Sequence, residues 1–90
     1  MTRDELLQRI YAETLVGNKP EVVELTTRGV EMGITPEALL FESLIPALEE
    51  VGARFERGDF FVPEMLISGR AMSGALDLLP EEPRRRVTRS

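Results

Sequence analysis

The side chains that usually carry chemistry are few in this chain. Ser43, Ser68 and Ser73 are candidate hydroxyl nucleophiles, but the 90 residues include no histidine to activate them, which excludes a hydrolytic triad. No cysteine is present either, so disulfides, thiolate metal sites and thiol nucleophiles are excluded. Lys19 is the only lysine and reads as an exposed loop residue rather than a Schiff-base former. Glu42, Glu49 and Glu50 suggest a di-metal site, yet that chemistry in a helical bundle uses Glu-x-x-His pairs, which this chain lacks. These carboxylates read as a solvated face. No glycine-rich phosphate loop follows a strand. A free-standing enzyme is not what these residues describe.

The unusual constellation is apolar. Leu44 to Met72 reads LIPALEEVGARFERGDFFVPEMLISGRAM: one helix, a Gly-Asp turn, and a second helix begun by Pro63. Phe55, Phe60, Phe61 and Val62 crowd around Gly58-Asp59, where a surface loop is normally polar. They either seal that end of a bundle or cover something outside the chain.

Four amphipathic segments must position this joint. Thr2 and Glu5 have the spacing of a capping box, and Leu6, Leu7, Ile10, Tyr11 and Leu15 follow at helical spacing until Gly17-Asn18. A second helix spans roughly 20–32, with Val22, Val23, Thr26 and Val30 as its stripe. Gly29 lies near that face, and Gly33 is the C-cap. Thr35-Pro36-Glu37 starts the third helix, whose apolar residues are Ala38, Leu39, Leu40, Phe41, Leu44, Ile45, Leu48, Val51 and Phe55. Pro46 removes a backbone donor and clashes with the preceding turn, which predicts a kink or break between Glu42 and Pro46. The fourth helix runs from Pro63 to Leu79 and is ended by Pro80. Met65, Leu66, Met72, Leu76 and Leu79 form its expected buried side, and Gly69 and Gly74 permit close packing. Its N-cap, Val62, has no oxygen to offer the free amides, and local rules tend to fail at functional positions. The fold class is therefore all-α, an antiparallel four-helix bundle with its third helix kinked or broken near Pro46.

Ninety residues support one domain with a thin core. The net charge of −5 is uneven: residues 1–79 carry 14 acidic and 7 basic side chains, residues 80–90 carry 2 and 4. An acidic body argues against nucleic acid as partner. Arg84-Arg85-Arg86 and Arg89 read as part of a solvated tail. No signal peptide and no membrane span are found, so the expected location is cytoplasmic.

Three stretches together, LIPALEEVGARFERG at 44–58, FFVPE at 60–64 and RAM at 70–72, resemble the helical cap domain of cobalamin-binding corrinoid proteins and of cobalamin-dependent methionine synthase. The resemblance covers roughly residues 5 to 79. It implies a helical cap domain over residues 1–79 and a disordered linker or tail over 80–90. It also implies a non-catalytic part of a corrinoid-dependent methyltransferase system. In that family the cap lies over the upper face of the corrin ring and shields the cobalt-bound methyl group, swinging aside for each transfer. The resemblance places the family's aromatic contact on Phe55 and its aliphatic contact on Val62, and Leu66, one turn further, extends the same surface. Phe60, Phe61, Met65 and Met72 read as plain core packing. In the related light-sensing regulators a tryptophan and a Glu-His pair mark the ligand face. Phe55 and Glu64-Met65 stand there instead, so the chain leans towards methyl transfer.

The family's next domain is a Rossmann-like module carrying Asp-x-His-x-x-Gly, which these residues do not contain. The cofactor implied is cobalamin, held only together with that corrinoid-binding domain, supplied in cis or in trans. The chain is then either a piece of a longer protein or a separate cap. The partners implied are that domain and methyltransferase subunits. The alternative is a cofactor-free helical interaction module that forms a homodimer through its exposed apolar edge around Phe60–Val62.

Overall fold

The computed structural model describes residues 1–79; the expected tail at 80–90, with Pro80 and the arginine cluster, lies outside them. The described chain is helical: α1 (Arg3–Val16), α2 (Lys19–Glu31), α3 (Pro36–Leu39), a π-helical turn (Leu40–Leu44), α4 (Ile45–Arg57) and α5 (Val62–Leu76). The segments α3, π turn and α4 form the third, bent helix of an antiparallel four-helix bundle. The tip of α1, the C-terminal end of α4 and the start of α5 meet at one end, where Ser68 of α5 donates to the Leu15 carbonyl at 2.9 Å.

The helix boundaries follow local chemistry. At α1 the capping box forms: the Glu5 amide donates to Thr2 Oγ1 at 3.2 Å, and the Thr2 amide donates to Glu5 Oε1 at 3.3 Å. Thr35 caps α3 by accepting from the Ala38 amide at 3.1 Å. Lys19 opens α2 instead of sitting in a loop, although it is exposed. The break expected near Pro46 takes the form of the π turn, in which the Ile45 amide donates five residues back to the Leu40 carbonyl. Pro46 has no N–H for the Glu42 carbonyl, and a widened turn accommodates that loss without ending the helix.

The wide turn also changes which residues face inward. Ser43 becomes fully buried and donates to the Leu7 carbonyl at 2.7 Å. Phe41 and Leu48, expected inside, are exposed, and Ala47 is buried instead. In α2, Leu25 takes the core place expected of Val30, which is exposed.

The main core joins Leu6, Ile10, Val22, Leu25, Leu39 and Leu44 with Ala71 and Ala75 of α5. A smaller cluster of Leu15, Ala47 and Val51, with Tyr11, Phe60, Met65 and Met72 packed against it, fills the end nearest the joint.

The fourth helix departs most from expectation. It is shorter than predicted, ending at Leu76, and its fully buried residues are Ser68, Ala71, Gly74 and Ala75. Of the expected inner residues, Leu79 is buried beyond the helix end and Met65, Met72 and Leu76 pack partly buried against the core. Small side chains line this inner face because α5 lies very close to α1 and α2. A Cβ on Gly74 would meet Val23 at 2.8 Å, and one on Gly17 would overlap the Ile67 side chain. Gly69, also expected to serve close packing, faces open space. With small residues inside, Leu66 is left exposed, and it does not join the buried side on which it was placed.

Candidate functional site

The joint between α4 and α5 is held by its backbone. Gly58 adopts the left-handed conformation (φ 84°) that ends α4. The Asp59 and Phe60 amides both donate to the Arg54 carbonyl, at 2.8 and 3.1 Å. Phe61, not Val62, is the N-cap of α5 and is extended (φ −112°, ψ 177°). The expected apolar N-cap is therefore present, one residue earlier. Its amide is satisfied by the Glu64 carboxylate at 3.2 Å, three residues on, which supplies half of a capping box.

Around this frame the apolar side chains divide. Phe60 packs against the smaller core cluster. Phe61 does not, and at 63% exposure it overturns its expected core role. An extended segment sends successive side chains to opposite sides, so when Phe60 goes in, Phe61 goes out. Val62 and Leu66 are each 58% exposed and Phe55 is 46% exposed. The three expected site residues are thus solvent-facing at one end of the bundle, Phe55 on the last turn of α4 and the other two on the first turns of α5. Phe61 is a fourth exposed apolar side chain at this end. The alternation of an extended link was the signal in the sequence that could have found it.

Charged groups flank the joint. Glu50 Oε2 accepts from Arg54 Nε at 2.8 Å and from an Arg57 terminal nitrogen at 3.3 Å, and Arg57 Nε reaches Asp59 at 3.1 Å. The Arg54 hydrogen bond, then that of Arg57, holds the Glu50 carboxyl below the usual carboxylate range. The Arg54 guanidinium lies 5.3 Å from the Phe60 ring centroid, within cation–π range. Beside it, Leu15, Val16, Arg54, Phe60, Glu64 and Ile67 line a shallow groove of about 190 Å³. A second hollow of about 280 Å³, away from the joint, is lined by Asp4, Leu7, Gln8, Tyr11 and Glu42. Glu42 there pairs with Arg3 at 2.8 Å. Among the described residues, no group of three or more His, Cys, Asp or Glu side chains could hold a metal ion. No helix of the described residues is long and apolar enough to cross a membrane.

Comparison with known proteins adds a family. The model of a B12 binding domain matches residues 6–79. The chain is 29% identical over 82 residues to monomethylamine corrinoid protein 2 of Methanosarcina acetivorans, covering 91% of this chain and 38% of that protein. It is 30% identical over 79 residues to monomethylamine corrinoid protein 1 of Methanosarcina mazei, covering 88% and 34%. It is 31% identical over 85 residues to the dimethylamine corrinoid protein of Methanosarcina barkeri, covering 90% and 39%. The chain therefore spans little more than a third of the length of these relatives. No solved structure matches it significantly.

Proposed function

The chain belongs to the B12 binding domain family, and we propose that it is the cap module of a corrinoid protein, covering the upper face of the corrinoid during methyl transfer. The observation that carries this reading is the inverted packing of α5. Its small residues are spent on the core, while Val62 and Leu66, with Phe55 and Phe61, are turned to solvent beside the joint. Large apolar groups grouped at one end of a small bundle call for a cover of their own.

The residues present fit a corrinoid as a lid fits, not as a ligand set. They offer aromatic and aliphatic surface and no metal-binding cluster among the described residues. A bound corrinoid supplies the metal centre that carries the methyl group. Phe55, Val62 and Leu66 act by excluding water from the space above it, without acid–base work, so the chain is non-catalytic by itself.

Magnitudes argue that it needs a partner. Fully burying each of these side chains contributes roughly 1.5–3 kcal/mol, and association costs an estimated 4–15 kcal/mol before any surplus remains. A separate Rossmann-like corrinoid-binding domain, in cis or trans, holds the cofactor. Methyltransferase subunits load and unload the assembly. The methylamine corrinoid proteins among its relatives make methylated amines the substrate class to try first.

The test is a cobalamin titration followed by visible absorption, with the 90-residue chain alone and then with a supplied corrinoid-binding domain. A spectral change or added photostability is expected only in the mixture. Micromolar binding by the chain alone would remove the need for a partner domain. No effect in either case, together with a concentration-dependent dimer, would favour a cofactor-free interaction module.

A further inference from the structure

We propose that Arg54 is the positioning residue of the joint, tying the end of α4 to the start of α5 so that Phe55 and Val62 are held in fixed relation; this rests on the cap reading for its functional consequence. Arg54 meets the link at two places, through a main-chain carbonyl that any residue would supply at this cap and through its own side chain. Its carbonyl accepts from both the Asp59 and Phe60 amides, and its guanidinium lies over the outer face of Phe60, 5.3 Å from the ring centroid. Phe60 in turn packs on the core cluster of Leu15, Ala47 and Val51, so the chain of contact runs from the core through Phe60 to Arg54.

A second contact steadies the guanidinium at that ring. Glu50, one helical turn earlier, holds Nε at 2.8 Å, in the favourable order of acid before base on a helix. A planar guanidinium gripped at one edge keeps its face for the aromatic ring, which an ammonium cannot do in the same way. Consecutive residues on a helix point about 100° apart. With Arg54 turned to Phe60, the Phe55 side chain leaves the last turn of α4 on a different side, where it is half-exposed. The other contacts of α5 are mainly with α2 and α1; towards α4, this joint is joined by Met65 and Met72, which pack on the cluster that includes Ala47 and Val51.

The expected effects are modest and local, because exposed ion pairs and cation–π contacts are individually weak. The test measures amide hydrogen exchange in the 90-residue chain for wild type, Arg54→Ala and Arg54→Lys. Arg54→Ala should speed exchange at Asp59 and Phe60 by about fivefold while the amides of Ile10 and Leu25 keep their rates. Arg54→Lys should fall between, since it keeps the charge and loses the fork. Unchanged exchange at Asp59 and Phe60, or an equal acceleration at Ile10 and Leu25, would overturn the proposal.

A second arm separates this proposal from the cap reading. With methylcobalamin and a corrinoid-binding domain, the photolysis rate is compared for wild type, Arg54→Ala and Phe55→Ala. Faster photolysis in both variants supports both readings. An effect of Phe55→Ala alone leaves the cap reading standing and sinks the role of Arg54 in it. No effect of either variant, with the exchange result intact, overturns the cap reading and leaves Arg54 as the clamp of the joint.

Discussion

Thr26 and Phe55 show how little residue type says about a residue's task. The Thr26 hydroxyl is buried on α2 with no hydrogen-bond partner among the described residues, whereas Thr14, equally buried on α1, donates to the Ile10 carbonyl at 2.7 Å. A buried, unpaired hydroxyl costs about 1–3 kcal/mol. Thr26→Val, similar in shape and helix propensity, should therefore stabilise the chain by about 1 kcal/mol, read as a rise in Tm. Phe55 is the opposite case, a large apolar side chain that the fold leaves half in solvent. Phe55→Ala should cost less than about 1 kcal/mol of stability yet speed photolysis of methylcobalamin in the assembled carrier. A large loss of Tm would make Phe55 a core residue instead. The sequence singled out Phe55 and Val62 through their place in a family pattern. Phe61 was missed because the alternation of an extended link says only that Phe60 and Phe61 point opposite ways, and packing decides which of them turns in.

At the scale of elements, glycine marks where helices touch. Gly17 combines a positive φ of 75° with contact against Ile67 of α5. Gly17→Ala should destabilise by about 2 kcal/mol or more, lowering Tm by roughly 10 °C in a domain of this size. Gly69 is helical and a Cβ there meets nothing, so Gly69→Ala should stabilise by about 0.5–1 kcal/mol. Equal effects in thermal unfolding would contradict the close packing of α5 on α1. The end of α4 adds a pH dependence. Glu50 is held below its ordinary value by Arg54 and Arg57. Its contribution is therefore present above the unfolded value, about 4.3, and is lost as pH falls through the lower folded value. Glu50→Gln should flatten the acid side of the Tm–pH curve and leave its shape above pH 6 unchanged. The kink was legible, since Pro46 lacks an amide. Its form as a π turn was not, and neither was the rotation that put Ser43 and Ala47 inside in place of Phe41 and Leu48.

Across the whole molecule, the core and the proposed cap surface use different residues. Leu6, Ile10, Val22 and Leu44 are fully enclosed, while Val62 and Leu66 are each 58% exposed. Val62→Glu and Leu66→Glu should therefore leave helicity and Tm nearly unchanged, since surface changes usually fall within about 0.5 kcal/mol. Photoprotection of methylcobalamin in the mixture should be lost. A drop in Tm matching the loss of protection would mean that the two surfaces are not separable. The same substitutions should abolish any concentration-dependent dimer of the chain alone, because they place charge in the exposed apolar surface.

By itself the sequence determined the number of helices, the threonine caps of α1 and α3, and the place of the bend. Those depend on local backbone chemistry: Thr2 and Thr35 as side-chain acceptors, glycine at positive φ, and proline without its amide. It also determined the family, because the spacing of Val51-Gly52, Phe55, Gly58 and Phe61-Val62-Pro63-Glu64 is carried in the letters. Only the tertiary structure decided which face of α5 is buried. A hydrophobic scale favours Leu66 for the inside, but the distance between packed helices favours Ser68, Ala71, Gly74 and Ala75. Close approach excludes large side chains from the middle of such a face; Met65, Met72 and Leu76 pack at its edges, and Val62 and Leu66 are left outside at the joint.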